Sequence, residues 1–169
     1  MEVLAPVGGW EQLEAAVRAG ADAVYLGAKG FNARRGAANF DAQGLENAVR
    51  YCHGRGVRMH VTVNTLITDE EQDALLRQAD EIAQAGADAV IVQDLGVAAL
   101  VRDEFPALKL HASTQMALSN ADDAVFARNF GYDRVVLARE CPLDEIRRVV
   151  ETGVETEVFA HGALCTAVS

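Results

Sequence analysis

AGADAV at Ala19–Val24, AGADAV again at Ala85–Val90, and FGYDRV at Phe130–Val135 are the stretches on which the fold turns. In each, a helical pattern runs into a Gly, a turn follows, and an Asp stands just before a short apolar run. Glycine lets the chain leave a helix through the left-handed region, and the run that follows has the length of a strand buried on both faces. The repeating unit is therefore helix, turn, strand.

The same punctuation extends in both directions. Runs rich in Val, Leu and Ala predict strands at Glu2–Ala5, Asp22–Leu26, Arg58–Asn64, Ala89–Gln93, Lys109–Ala112, Arg134–Ala138 and Glu157–Ala160. Apolar residues at three- and four-residue spacing predict helices between them, among them Trp10–Arg18, Leu45–Arg55, Glu70–Ala85 and Asp144–Glu151. Gly56 precedes the third strand and Gly153 the last, which makes seven strands and six helices. Strict βα alternation means a parallel sheet.

Two parallel architectures compete. A doubly wound sheet gathers its ligand groups at one switch point, usually behind G-x-G-x-x-G, but the first turn here reads Pro6-Val7-Gly8-Gly9-Trp10. Polar residues instead follow almost every strand, as expected where strand ends converge on the mouth of a barrel. The expected fold class is thus α/β, a parallel (β/α) TIM-type barrel of about seven strands that lacks the eighth, with residues 1–169 forming one barrel domain truncated at its C-terminal end. Deleting that strand would leave apolar edges near Val3–Ala5 and Val158–Ala160, open to self-association or strand exchange.

The composition suits such a domain: 169 residues, 50% hydrophobic, with 14 Gly and 3 Pro. No run approaches the roughly 18 apolar residues of a membrane span, and the first residues lack a signal-peptide pattern, so the expectation is a cytoplasmic protein without a membrane partner. The net charge of −10 presents no basic field of its own. Three cysteines without regular spacing make no disulfide framework.

The candidate site residues stand where strands end: Asn64; Gln93 and Asp94; His111, Ser113, Thr114 and Gln115 within LHASTQ; Arg139 and Glu140; and His161. LHASTQ could orient a polar ring or planar amide, or could cap helices and turns. Arg139 could hold a carboxylate or phosphate bidentately, or pair with Glu140 at the rim. Asn32 follows the second strand, and Arg34 and Arg35 in the same loop could form an anion site or be plainly solvated. His161 and Cys165 are together in HGALC, a metal-ligand or nucleophile pairing, whereas Cys52 and Cys141 read as core or incidental thiols.

Several chemistries are disfavoured. The two lysines, Lys29 and Lys109, do not stand at strand ends as a Schiff-base aldolase requires. H-E-x-x-H and G-x-S-x-G are both missing, which argues against a zinc protease and against a hydrolase built from Ser113, His111 and Asp94.

Taken together, LAP (Leu4–Pro6), GADAVYLG (Gly20–Gly27), FNARRGAANF (Phe31–Phe40), VTVNT (Val61–Thr65), IVQDLG (Ile91–Gly96), LHASTQ (Leu110–Gln115), VLARE (Val136–Glu140) and HGALC (His161–Cys165) resemble the peptidase U32, or collagenase-like, family along the whole chain. IVQDLG and LHASTQ look most like its large subgroup that includes the ribosomal-RNA cytidine hydroxylation protein. The resemblance implies oxygen-independent hydroxylation of a ribosomal-RNA cytidine, a tRNA uridine or the ubiquinone ring. Its further implications are RNA as a partner, a small organic oxygen donor, and a 4Fe-4S iron–sulfur cluster held by four Cys. Cys165 matches the first cluster ligand; the next follows about seven residues later in the family. The chain stops short of that position, so no cluster is expected in it. A collagenase-like peptidase and a noncatalytic substrate-positioning module are the competing expectations.

Overall fold

The structure, a computed structural model, describes residues 1–33 and 39–162. Seven strands, β1 (Leu4–Pro6), β2 (Ala23–Gly27), β3 (Arg58–Val63), β4 (Ala89–Val92), β5 (Lys109–Ala112), β6 (Arg134–Val136) and β7 (Glu155–Glu157), pair in chain order, all parallel. Between them run α1 (Trp10–Arg18), α2 (Ala42–His53), α3 (Gln72–Gln84), α4 (Leu95–Glu104), α5 (Ala121–Phe130) and α6 (Leu143–Glu151). The sheet curls into an incomplete TIM-type barrel, as the βα alternation predicts, and among the described residues β1 and β7 each have one strand neighbour.

Alternation along the strands divides the two faces. Val24, Leu26, Met59, Val61, Val63, Val90, Val92, Leu110 and Val135 point outward and join Leu13, Leu45, Leu75, Ile82, Val97 and Val149 of the helices in one apolar core. The intervening residues, among them Tyr25, His60, Thr62, Ile91, His111, Arg134, Glu155 and Glu157, share the concave face.

The repeated Gly-x-Asp is a register device. Gly20 and Gly86 take φ values of 87° and 82°, the left-handed conformation that ends α1 and α3. The Asp then clips its own strand to the one before it. Asp22 accepts the Val3 N–H at 2.8 Å, Asp88 that of Met59 at 2.7 Å, and Asp133 that of Leu110 at 2.9 Å. Each Asp also donates its backbone N–H to the carbonyl of that same residue, at 3.0, 2.9 and 2.8 Å. An ionised acceptor makes such a bond worth about 1.5–3 kcal/mol. Clips thus join β1 to β2, β3 to β4 and β5 to β6. The odd strands from β3 onward are preceded by buried Val57, Leu108 and Val154 instead.

Some boundaries differ from the sequence expectation. The first strand is Leu4–Pro6 rather than Glu2–Ala5. The last is Glu155–Glu157 rather than Glu157–Ala160: its inward positions carry carboxylates that meet Arg134, while the apolar Val158 and Phe159 lie past the strand, 46% and 36% exposed. Helix α2 begins at Ala42, three residues ahead of Leu45, because Asp41 accepts the Gly44 N–H at 2.9 Å and caps it. No described helix is long and apolar enough to cross a membrane.

Candidate functional site

Strand ends β2 to β4 are bound together by amide side chains. Asn64, just past β3, accepts the Ala33 N–H through Oδ1 at 3.1 Å, and its carbonyl accepts from Gln93 Nε2, just past β4, at 2.8 Å. The loop after β2 is held from outside by Gln78 of α3, which is 7% exposed. Its Oε1 accepts the Phe31 N–H at 3.1 Å, and its Nε2 donates to the Lys29 carbonyl at 3.2 Å. Inside the loop, buried Asn32 donates to the Ala28 carbonyl. Gly27 makes this possible, since a Cβ there would stand 2.8 Å from Asn32 Oδ1 and 2.6 Å from Asn39 Oδ1.

The other expected site residues separate by role. Asp94 caps α4, accepting from Gly96 N at 2.7 Å and Val97 N at 3.1 Å. Ser113 is buried and accepts from Gln115 N at 3.2 Å, starting a short 3-10 turn, and Thr114 Oγ1 donates to the Leu137 carbonyl at 3.3 Å. Gln115, Glu140 and His161 are exposed. Arg139 lays its guanidinium over the Phe159 ring, 4.2 Å from the centroid, joining the rim past β6 to the rim past β7. Arg34, Arg35 and Cys165 lie outside the described residues.

His111 is deeper than the strand-end pattern implies. It sits inside β5, in register with Ile91 and Arg134, and its ring meets that of His60 on β3 edge to face at 4.6 Å. The two are 2% and 1% exposed, and Nδ1 of each is buried without a hydrogen-bond partner among the described residues. Burial, reinforced by Arg134, holds His60 down to about 4. Burial, then His60 and Arg134, holds His111 down to about 2, so both imidazoles are neutral at pH 7.

Beside the histidines lies an ionic cluster, with Arg134 in register with His111. Arg134 reaches Glu155 at 2.5 Å, Glu157 at 3.2 Å and Glu2 at 3.3 Å, and Glu2 also pairs with Arg58. Burial raises the Glu157 carboxyl against the pull of Arg134. Strand-end reasoning misses these groups, although residue spacing carries signals for some of them. Arg58, His60 and Thr62 put polar side chains on one face of an otherwise apolar strand. Gln78 falls among Leu75, Ala79 and Ile82 on the buried face of α3.

The described thiols are not activated. Cys52 is buried, its thiol pushed up to about 11, and Cys141 is raised by burial and by Glu145 and Asp144 while its Sγ donates to the Ser119 carbonyl at 3.2 Å. No three described His, Cys, Asp or Glu side chains converge to hold a metal ion. The described residues therefore do not fit an iron–sulfur cluster by themselves.

A curled parallel sheet with polar strand ends around one mouth and an ionised interior defines a protein of the (β/α) barrel class. A solved U32 peptidase shares this fold with a TM-score of 0.75 over 94% of this chain and 67% of its own, at 15% identity. The model of Peptidase family U32 matches residues 8–169, and the chain belongs to that family. A collagenase of Porphyromonas gingivalis is 43% identical over 99% of the chain. The 23S rRNA 5-hydroxycytidine C2501 synthase of Escherichia coli is 39% identical over 100%, and tRNA hydroxylation protein P1 of Bacillus subtilis is 37% identical over 99%. The chain spans 43%, 25% and 40% of the length of these three relatives.

Proposed function

We propose that this chain is the barrel domain of a cytoplasmic protein that hydroxylates a pyrimidine base in ribosomal or transfer RNA. The observation that carries the reading is identity along this whole chain, 39% and 37%, with parts of two proteins whose names both describe RNA hydroxylation. The mouth suits such a substrate, because Asn64, Gln93 and Arg139 bring amide and guanidinium groups to the ends of β3, β4 and β6. Oxygen independence, a small organic oxygen donor and a four-Cys iron–sulfur cluster with Cys165 as first ligand belong to this proposal through the family resemblance. The cluster would supply the redox chemistry.

The second reading is a collagenase-like peptidase, favoured by the 43% identity with the P. gingivalis protein. Among the described residues it lacks an activated nucleophile, since both thiols are held protonated and Ser113 is a buried turn cap. Deleting the gene and measuring the nucleosides of ribosomal and transfer RNA by mass spectrometry separates the two. A 5-hydroxypyrimidine that vanishes, and returns with the intact gene but poorly with Asn64→Ala plus Gln93→Ala, supports hydroxylation. Unchanged nucleosides together with collagen cleavage by the purified protein would overturn it.

A further inference from the structure

Two side chains at the mouth have their polarity fixed by what they hold. Asn64 and Gln93 continue the inward alternation of β3 and β4 one step past Thr62 and Ile91, which are in register, so the two stand side by side on adjacent strand ends. A side-chain amide carries an acceptor at one end and donors at the other, and its partners decide which way round it sits. The Ala33 N–H can only donate, so it takes the Asn64 Oδ1, at 3.1 Å, and leaves the Asn64 Nδ2 as a donor. The Asn64 backbone carbonyl can only accept, so it takes the Gln93 Nε2, at 2.8 Å, and leaves the Gln93 Oε1 as an acceptor.

Neither of these remaining ends has a hydrogen-bond partner among the described residues, and both side chains are half-buried. Turning over Asn64 would set two donors face to face, and turning over Gln93 would set two acceptors face to face, so each amide has one stable orientation. Gln78 holds the loop that carries Ala33 from its other side, through Phe31 and Lys29.

A donor beside an acceptor matches a ligand that shows an acceptor beside a donor on one planar edge. A trans peptide does not, because its C=O and N–H point in opposite directions. A pyrimidine base does: O4 and N3–H of uracil, or N3 and the N4 amino group of cytosine, lie together on the Watson–Crick edge. Resting on RNA as the substrate, we propose that Asn64 and Gln93 read that edge of an unpaired pyrimidine, the Asn64 Nδ2 donating to its acceptor and the Gln93 Oε1 accepting from its donor. The base has to be unpaired because pairing occupies the same edge. That suits a chain of net charge −10, which has no basic field of its own for tracking a duplex backbone.

Saturation-transfer NMR on the complete gene product tests this with uridine, cytidine and their edge-blocked analogues 3-methyluridine and N4,N4-dimethylcytidine. Uridine or cytidine should bind, and its blocked analogue should bind at least about tenfold more weakly. Asn64→Asp keeps the oxygen that holds Ala33 and removes the donor, so it should weaken nucleoside binding about tenfold or more while Tm stays unchanged. Equal binding of blocked and unblocked nucleosides, no binding of any nucleoside, a collagen peptide bound in their place, or full nucleoside binding by Asn64→Asp would overturn the proposal. Binding is read here without turnover, so edge-selective binding by a protein whose deletion leaves the RNA nucleosides unchanged would sink the hydroxylation reading alone.

Discussion

Acidification should destabilise this protein through the histidine pair. An exposed imidazole titrates near 6.5, whereas His60 is held at about 4 and His111 at about 2. Depressed folded values mean that below about pH 6.5 the unfolded chain binds more protons than the folded one, so stability falls as pH falls. At about 1.36 kcal/mol per pH unit, each histidine removes about 2 kcal/mol between neutrality and pH 5, and the pair about 4. That is a large part of the roughly 5–15 kcal/mol available to a domain. Arg134, Arg58 and Lys109 oppose protonation of the pair, and Glu2 and Asp88 favour that of His60. Glu157, raised by burial, works in the opposite sense, but equally in parent and variant. His111→Phe keeps an aromatic edge against His60 and removes one titration. Urea unfolding followed by circular dichroism at pH 7.5, 6.5, 5.5 and 5.0 should show the parent losing about 2 kcal/mol more than His111→Phe across that range. Parallel pH dependences, within about 0.5 kcal/mol, would mean that His111 is not a buried neutral imidazole.

Arg134→Met leaves Glu2, Glu155 and Glu157 without their shared cation and should lower stability by about 3–5 kcal/mol at pH 7 in urea titrations, with partial recovery at pH 5 as carboxylates gain protons. Gln78→Leu leaves the Phe31 N–H and the Lys29 carbonyl without their partners, a loss of about 1–3 kcal/mol that calorimetry should register as a lower Tm. Asp94→Ala removes the α4 cap, about 1 kcal/mol, and if Asp94 acts only there, RNA hydroxylation in the complementation strain should be unchanged at permissive temperature.

The order of strands and helices was legible in the residues because it depends on short-range information: hydrophobic period, glycines that end helices, and apolar runs of strand length. The capping alternative for LHASTQ was legible for the same reason, since Ser113 bonds an N–H two residues away, whereas nothing local marked Asp94 as the cap of α4. The Asp of AGADAV was visible as a repeat, but its purpose was not. Its partners lie 19, 29 and 23 residues back in the chain, at Val3, Met59 and Leu110, and become neighbours only when parallel strands align. The boundary of β7 is not legible locally, because two glutamates look like surface until Arg134 of the adjacent strand supplies their charge partner inside the barrel. His111 has the sequence pattern of a strand-end group, and tertiary structure puts it beside His60 inside the barrel. Local sequence specifies which way a strand's residues alternate, while register and curvature specify which side chains from distant strands share the space within, and those are properties of the assembled sheet.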